Sequence, residues 1–277
     1  MKRVRTIFGI LKYELNQIFF SHKFIIVFLM SFMFMDFYIR DLRQMADDYN
    51  IGIFPAVNIF YFSDITYSNI ALLLVVLLFS DLPNRNGGQI FIRLRAGKKE
   101  YEVGQIAAVI VTSIGYVFIE SIQSVIVCIP HVDFSGWGKL WGTVASHNLS
   151  EFGYGNHVSV DQNIITNYEP VQAVIYASII FFLMCAIYGL FIYLANKLSG
   201  MKLGTTILSV WSVMWIFLDS IDNDYVNMLR AIAPQKWNDI AMRMPKDNSI
   251  IIVVELVICA MLCGAILFCV NKDKTRW

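Results

Sequence analysis

Residues 70–129 read IALLLVVLLFSDLPNRNGGQIFIRLRAGKKEYEVGQIAAVIVTSIGYVFIESIQSVIVCI, two apolar runs on either side of a short charged connection. The second run, and the first once it is extended back to residue 57, are each long enough to cross a bilayer. An α-helix rises 1.5 Å per residue, so about 20 residues span a hydrocarbon core of about 30 Å. Neither run alternates apolar and polar residues, which excludes a transmembrane strand. The stretch therefore predicts two spanning helices joined by a short loop.

The composition of the whole chain agrees with a membrane protein. Of its 277 residues, 57% are hydrophobic and 16% are charged, whereas soluble domains average about 25% charged. The fold class predicted is an all-α polytopic bundle, a single transmembrane domain over residues 1–277. Six stretches are long and apolar enough to be spans, and they are approximately 23–40, 57–82, 104–129, 171–196, 203–220 and 249–270.

The distribution of Lys and Arg predicts the orientation of the chain. If the N-terminus is cytoplasmic, 15 of the 22 basic residues lie on the cytoplasmic side. Both termini and the loop 83–103 are then cytoplasmic, and the segments 130–170 and 221–248 are extracellular. Residues 4–20 have one apolar and one basic face, which favours a helix lying in the membrane interface over a continuation of the first span.

The two extracellular segments differ in character. Residues 130–170 carry glycines among tryptophans and read as a long loop without obvious structure, which is usually functional or disordered. His131, His147 and His157 lie in this loop, where a solvated surface is favoured over a metal site. Residues 221–248 read as two short amphipathic helices broken near Pro234.

The sequence contains no motif for catalysis. It has no G-x-x-x-x-G-K-[ST] loop for nucleotide phosphates, no H-E-x-x-H and no G-x-S-x-G. The five cysteines fall within apolar runs and are interpreted as buried hydrophobic residues. We expect no enzyme activity, no metal and no cofactor bound by this chain. The net charge of +1 gives no indication of a nucleic-acid partner.

Polar residues inside the predicted spans are candidates for function, because ionisable groups are costly in the membrane. The acidic ones all fall in the outer halves of their spans. Two alternatives are open for the whole set: an acidic outer vestibule that forms a substrate path, or hydrogen bonds that hold the bundle together. The candidate path residues are Asp36, Asp64, Tyr67, Tyr116, Glu120, Gln123, Ser209, Ser212 and Glu255.

The order of these features resembles the permease subunit of ABC-2-type transporters over essentially the whole chain. After the second span such permeases often have an acidic residue, a glycine and a basic stretch. Here FSDLPNRNGGQIFIRLRAGKKEYEVGQI supplies Asp81, Gly87 or Gly88, and the basic run from Arg93 to Lys99. Gln105 departs from the lysine that often opens span three. Pro234 matches a proline that recurs before span six.

The resemblance implies a function that composition does not show. The first cytoplasmic loop would form a coupling helix, formed by Ile90, Phe91, Ile92, Arg93, Leu94 and Arg95, that docks on a separate ABC ATPase. ATP and Mg would be bound by that partner. Two permease chains, identical or related, would pair in a bacterial plasma membrane and export a cargo. The acidic residues of the spans and the aromatic extracellular segments favour a cationic or amphipathic cargo, such as a peptide, an antimicrobial or a lipid-like molecule. Spans two and five would line the path.

Two other functions are open on the sequence. A secondary transporter could be driven by protons through Glu120 or Glu255, although such folds usually contain repeats and interrupted midplane helices, and neither is recognisable here. A membrane sensor could instead bind an external ligand through the 130–170 loop.

Overall fold

A computed structural model describes residues 2–83, 87–147, 149–155, 157–218, 221 and 233–272. The described part of the chain is helical, and its one β-type pairing is an isolated bridge between Ile53 and Val132. Its α-helices, in chain order, are α1 (Lys2–Phe19), α2 (His22–Tyr49), α3 (Val57–Ser63), α4 (Ile65–Phe79), α5 (Gly87–Ala96), α6 (Lys98–Ile126), α7 (Gly138–Ser146), α8 (Gln162–Asn167), α9 (Pro170–Ser199), α10 (Leu203–Leu218) and α11 (Pro245–Lys272).

Three of these helices are long and apolar enough to cross a membrane alone: α6, α9 and the Asp247–Cys269 part of α11. Two bent helix pairs raise the number of candidate spans to five if each pair counts as one. The apolar helix α10 has 16 residues before the described range ends at Leu218, so it is shorter than an average span. The protein is thus an all-helical, membrane-embedded chain. The predicted six spans and the sidedness of the termini stay predictions.

Helix α1 is separate from the helix that follows it. The two are bent by 60°, and the Ser21 side chain caps α2 by accepting a hydrogen bond from the Phe24 amide. Helix α1 packs along α6, where Ile10 lies against Gly104. A Cβ at Gly104 would lie 2.6 Å from Ile10, so only glycine permits this approach. The chain over 4–20 is therefore its own helix, and its place in the membrane interface stays a prediction.

The interpretation of residues 57–82 as one continuous span is wrong. The structure divides them into α3 and α4, which are bent by 94° at Asp64. The Asp64 carboxylate accepts hydrogen bonds from the Thr66 and Tyr67 amides at 2.9 and 3.1 Å. It thereby satisfies amides that the first turn of any helix leaves unpaired, which allows a new helix to begin inside an apolar run.

Helix α9 lies at the centre of the bundle and packs against α4, α6, α10 and α11. Phe181 stacks on Phe62 of α3 with ring centroids 3.8 Å apart. At Gly189, an added Cβ would meet Val109 of α6 at 2.6 Å and Phe79 of α4 at 2.9 Å, so three helices come together around one small residue. Helix α9 has protein on several sides, which explains its nearly continuous apolar sequence.

The segment 130–170 is ordered by helices, so its interpretation as a loop without structure is wrong. It contains α7, a 3₁₀ turn at Leu149–Phe152 and α8. Trp141 of α7 is completely buried and stacks on Phe60 at 4.4 Å, and its indole nitrogen donates to the Phe54 carbonyl at 2.8 Å. These short helices pack onto the bundle instead of extending away from it.

The segment 221–248 also differs from its prediction. The structure shows 3₁₀ helices at Pro234–Asn238 and Ile240–Met242 before α11 begins at Pro245, instead of an amphipathic α-helix after Pro234. The predicted helix before Pro234 falls on residues 222–232, outside the described range.

Candidate functional site

The loop after α4 contains a short helix, as predicted. Helix α5 ends at Ala96, Gly97 adopts a φ of +93°, and α6 begins at Lys98. That φ is in the region that favours glycine, so the turn depends on this residue. Phe91 and Leu94, three residues apart and therefore on one face, expose 74% and 77% of their surface.

Other predicted coupling residues are placed differently. Arg95 is exposed, whereas Ile92 and Arg93 are half-buried. Ile90 is part of α5. Arg93 forms an ion pair within the chain. Its Nη2 lies 3.4 Å from an oxygen of Glu102, a residue of α6 that is only 1% exposed.

Glu102 joins three helices at this end of the bundle. In addition to Arg93 of α5, it binds two residues of α9: the Lys197 ammonium at 2.8 Å and the Tyr193 hydroxyl, which donates to its second oxygen. Glu102 and its partners thus form a charge cluster that connects helix α5 to the bundle. A nearby pair of lysines, Lys23 and Lys202, contacts Asp81 at 2.6 and 2.8 Å and connects α2 to the start of α10.

The candidate path residues of α6 lie in helix interfaces. The Ser31 hydroxyl of α2 lies 2.6 Å from an oxygen of Glu120 and 2.6 Å from an oxygen of Gln123. The Gln123 side-chain amide donates to the Phe28 carbonyl at 3.1 Å, and the Tyr116 hydroxyl donates to the Ala71 carbonyl at 3.4 Å. All three residues of α6 are buried. Their contacts are interhelical hydrogen bonds of the kind that would hold the bundle together.

Among the described residues, the remaining candidates have separate surroundings. Asp36 is paired with Arg43 at 2.6 Å, so its charge is neutralised locally. Ser209 is half-buried on α10. Ser212 of α10 and Glu255 of α11 are fully buried, and neither has a hydrogen-bond partner for its side chain among the described residues.

Asp64 and Tyr67 are the two candidates that line a common cavity. It lies between α2 and α4 and has a volume of about 360 Å³. The other lining residues come from α2, from α4 and from the segment 130–170, and they are Phe34, Phe37, Thr66, Ile70 and His157.

The three histidines of the segment 130–170 each lie beside a different acidic residue. His131 contacts Asp47, His147 contacts Glu151, and His157 lies 3.9 Å from Asp41. Within the described ranges, no three side chains of His, Cys, Asp or Glu come close enough together to hold a metal ion.

The chain was compared with protein-family models, with characterised proteins and with solved structures, and none of them matches it.

Proposed function

We propose that this chain is the transmembrane permease subunit of an ATP-driven ABC exporter. The observation that carries the proposal is α5: a short helix between two membrane helices, with apolar side chains turned outward and a rigid connection inward. Exposed Phe91 and Leu94 in a cytoplasmic loop would cost solvation free energy unless a partner covers them.

The connection from α5 to the bundle suits the transmission of force. A partner that moves α5 pulls on α6 through the Gly97 turn and on α9 through Arg93 and Glu102. Because α9 packs against α4, α6, α10 and α11, a shift of α9 is felt by most of the bundle. Packed cores respond to such a displacement by moving as bodies between discrete arrangements.

The proposal includes the partners that the resemblance implies. Two cytoplasmic ABC ATPases would bind ATP and Mg, and a second permease chain would complete the path in a bacterial plasma membrane. The cargo would be exported. Surfaces that have no contact within one chain would form the interface between the two chains. Lipid would cover the exposed apolar faces of α10 and α11.

The first prediction tests α5 directly. The chain is co-expressed with the products of its neighbouring genes and purified in detergent, and the ABC ATPase that we expect to co-purify is quantified. Replacing Phe91 and Leu94 together by alanine is expected to reduce ATPase recovery at least about tenfold, because two side chains of a docking surface are lost. The matched control replaces Leu198 and Met201, which are 67% and 70% exposed at the same end of the bundle.

Retention of the ATPase by the Phe91 and Leu94 variant, or equal loss in the control, would contradict the docking role of α5.

A proton-coupled transporter is the second candidate, and it is favoured by one observation, the fully buried Glu255 described above. Transport in vesicles that follows an imposed proton gradient without ATP would support that candidate instead.

A further inference from the structure

A second cavity, with apolar walls, lies between α9, α10 and α11. Helices α10 and α11 both pack against α9, and the cavity is the space that remains between them. Its volume is about 290 Å³. Ile207 of α10 lines it and is 45% exposed, so the cavity opens at the protein surface. Because α9 and most of α11 are candidate membrane spans, this opening lies where the protein meets lipid.

Two polar groups of α10 lie next to this cavity. Ser212 follows the lining residue Leu208 by four positions, and Trp215 follows the lining residue Trp211 by four, so each lies one turn further along the lining face. The Trp215 ring packs edge-on against the Trp211 ring, with centroids 5.8 Å apart. Ser212 and Trp215 are both buried, and neither the hydroxyl nor the indole nitrogen has a hydrogen-bond partner in the described part of the chain.

The directions of the helices place Glu255 of α11 at the same end of the cavity. Helix α11 runs parallel to α9, since the Asn248 amide donates to the Tyr168 hydroxyl just before α9 and the Cys259 thiol donates to the Leu183 carbonyl further along. Helix α10 runs the opposite way, because it follows α9 after a turn of three residues and packs back against it. The end of α10 that carries the two polar groups therefore lies beside the first half of α11.

Glu255 is a third buried polar group on a lining face. It precedes the lining residue Ile258 by three positions, and both of its carboxyl oxygens are without a hydrogen-bond partner among the residues described. Arg243 interacts with it electrostatically. The Arg243 guanidinium is held by the carbonyls of Trp237 and Lys236 at 3.0 and 2.8 Å, and Trp237 itself lines the cavity.

We propose that this cavity binds a neutral amphiphile from the membrane, with its apolar body between α9, α10 and α11 and a hydroxyl head at Glu255, Ser212 and Trp215. A methylene group occupies about as much space as a water molecule, about 30 Å³, so a cavity of about 290 Å³ holds about ten carbon atoms. A hydroxyl can donate to the carboxyl group and accept from the indole nitrogen. It would thereby satisfy buried groups that are costly to leave unpaired.

Two other ligand classes fit these surroundings less well. A cationic head would be repelled by Arg243, which already interacts with Glu255. A plain hydrocarbon chain would fill the cavity but would leave the three polar groups without partners. The hydroxyl head is therefore the feature that the test has to resolve.

This inference goes beyond the proposed function, because binding of an amphiphile requires neither an ATPase nor ATP. A chain that binds the amphiphile but recruits no ATPase would contradict the permease proposal alone. A chain that recruits the ATPase but does not bind the amphiphile would contradict this inference alone.

The test uses the purified full chain in lipid nanodiscs and a decan-1-ol probe with a photoreactive diazirine in the middle of its chain. Labelled residues are identified by mass spectrometry, and decan-1-ol and decane are compared as competitors at equal mole fractions in the lipid. We expect the label on lining residues of α9, α10 and α11. Decan-1-ol is expected to displace the probe at an at least about fivefold lower mole fraction than decane, because its hydroxyl gains hydrogen bonds.

Two substitutions of Glu255 test the head. Glu255→Leu is expected to abolish the advantage of decan-1-ol over decane, whereas Glu255→Gln, which can still donate and accept, should keep most of it. Glu255 makes no hydrogen bond with the described residues, so leucine costs the fold little. The melting temperatures of both variants check this.

A second pair of variants tests the cavity. Ile258→Phe is expected to reduce labelling several-fold, because the added ring occupies the space. Leu256→Phe is the matched control, since Leu256 lies on the same helix, is 50% exposed and does not line the cavity. Label confined to lipid-facing residues, equal competition by decane and decan-1-ol, an unchanged preference in Glu255→Leu, or an equal loss in Leu256→Phe would overturn the proposal.

Discussion

Glu102 is the residue on which the end of the bundle next to α5 depends. Its carboxylate is 1% exposed and binds Arg93, Tyr193 and Lys197, so three helices share one buried charge. Removing one member of such a cluster leaves the opposite charges without compensation, which typically costs about 3–5 kcal/mol for a fully buried pair. Arg93 is partly exposed, so the lower end of this range applies.

Glu102→Gln is therefore expected to lower the melting temperature of the chain and to reduce ATP-driven transport further than it reduces ATPase binding, because α5 loses its link to α9. The measurements are thermal unfolding in detergent and transport by the reconstituted complex. Glu100→Gln is the control, since Glu100 pairs with a largely exposed Arg3 at 3.6 Å. Equal effects of the two variants would refute the role assigned to Glu102.

Asp239 gives the segment that precedes α11 a dependence on pH. Burial raises the pKa of its carboxyl from 3.8 to about 6, against the opposing effect of the hydrogen bond from the Ala241 amide. The folded state therefore holds the proton more tightly than the unfolded state does. The resulting stabilisation is complete below about pH 4 and is lost as the pH rises through about 6.

The wild-type melting temperature is thus expected to fall relative to Asp239→Asn between pH 5 and pH 7.5. Asparagine keeps the acceptor for the Ala241 amide, so the variant differs mainly in charge. Asp133→Asn, which changes a turn carboxylate in the segment 130–170, should follow the wild-type profile. If the melting temperatures of wild type and Asp239→Asn changed by the same amount between the two pH values, the effect would be disproved.

Candidate residues were predicted unevenly from the sequence. Glu120, Gln123 and Tyr116 were identified because polar groups in an apolar run are conspicuous, and their hydrogen bonds show why they occur there. Glu102 was missed because it precedes its apolar run and reads as a loop charge. Its partners lie 9, 91 and 95 positions away, and no local pattern connects residues so distant in sequence.

Helix α5 was predicted at the scale of the element, as the coupling helix that the resemblance implies. The turn that follows it depends on Gly97, whose φ is +93°. The break in residues 57–82 was not predicted, because hydropathy averages over Asp64. The local signal was present, since Asp is a preferred N-cap and its carboxylate pairs with the amides two and three positions later.

The joint between α5 and α6 can be tested by substitution of Gly97. A Cβ there would meet a Glu100 oxygen at 2.8 Å, and an alanine would be held at a positive φ. Gly97→Ala is expected to cost about 1–2 kcal/mol or to displace α5, because the left-handed region disfavours residues with a side chain. Thermal unfolding and ATPase binding measure the two outcomes.

Gly142→Ala is the matched control for that substitution. Gly142 lies within α7 and has no atom within 4 Å of an added Cβ, so alanine should be neutral or stabilise the helix by up to about 1 kcal/mol. If Gly97→Ala were equally harmless, the turn would not need its glycine.

The segment 130–170 shows which features are determined only by contacts across the whole molecule. Trp141 reads as one aromatic residue in a glycine-rich loop, yet it stacks on Phe60 and donates to the Phe54 carbonyl, in a part of the chain more than 80 residues earlier. Short helices such as α7 gain most of their stability from such tertiary contacts. Their own sequence is too brief to show a clear period, so the helices were predicted as loop.

The orientation of the molecule in the membrane is the last prediction, and it follows from charge. With 15 of 22 basic residues on one side, the positive-inside rule places α5 in the cytoplasm and α7 outside.

Lys99, next to α5, and Lys139, in α7, are both exposed. The five native cysteines are buried or half-buried, so they give little background in a labelling experiment. In intact cells, a membrane-impermeant maleimide should label Lys139→Cys, and it should label Lys99→Cys only after the cells are permeabilised. The reverse pattern would place α5 outside the cell, where no ATPase could reach Phe91 and Leu94. Labelling of both variants in intact cells would place α5 and α7 on the same side of the membrane. This result would contradict the prediction, because an odd number of crossings between the two helices places them on opposite sides.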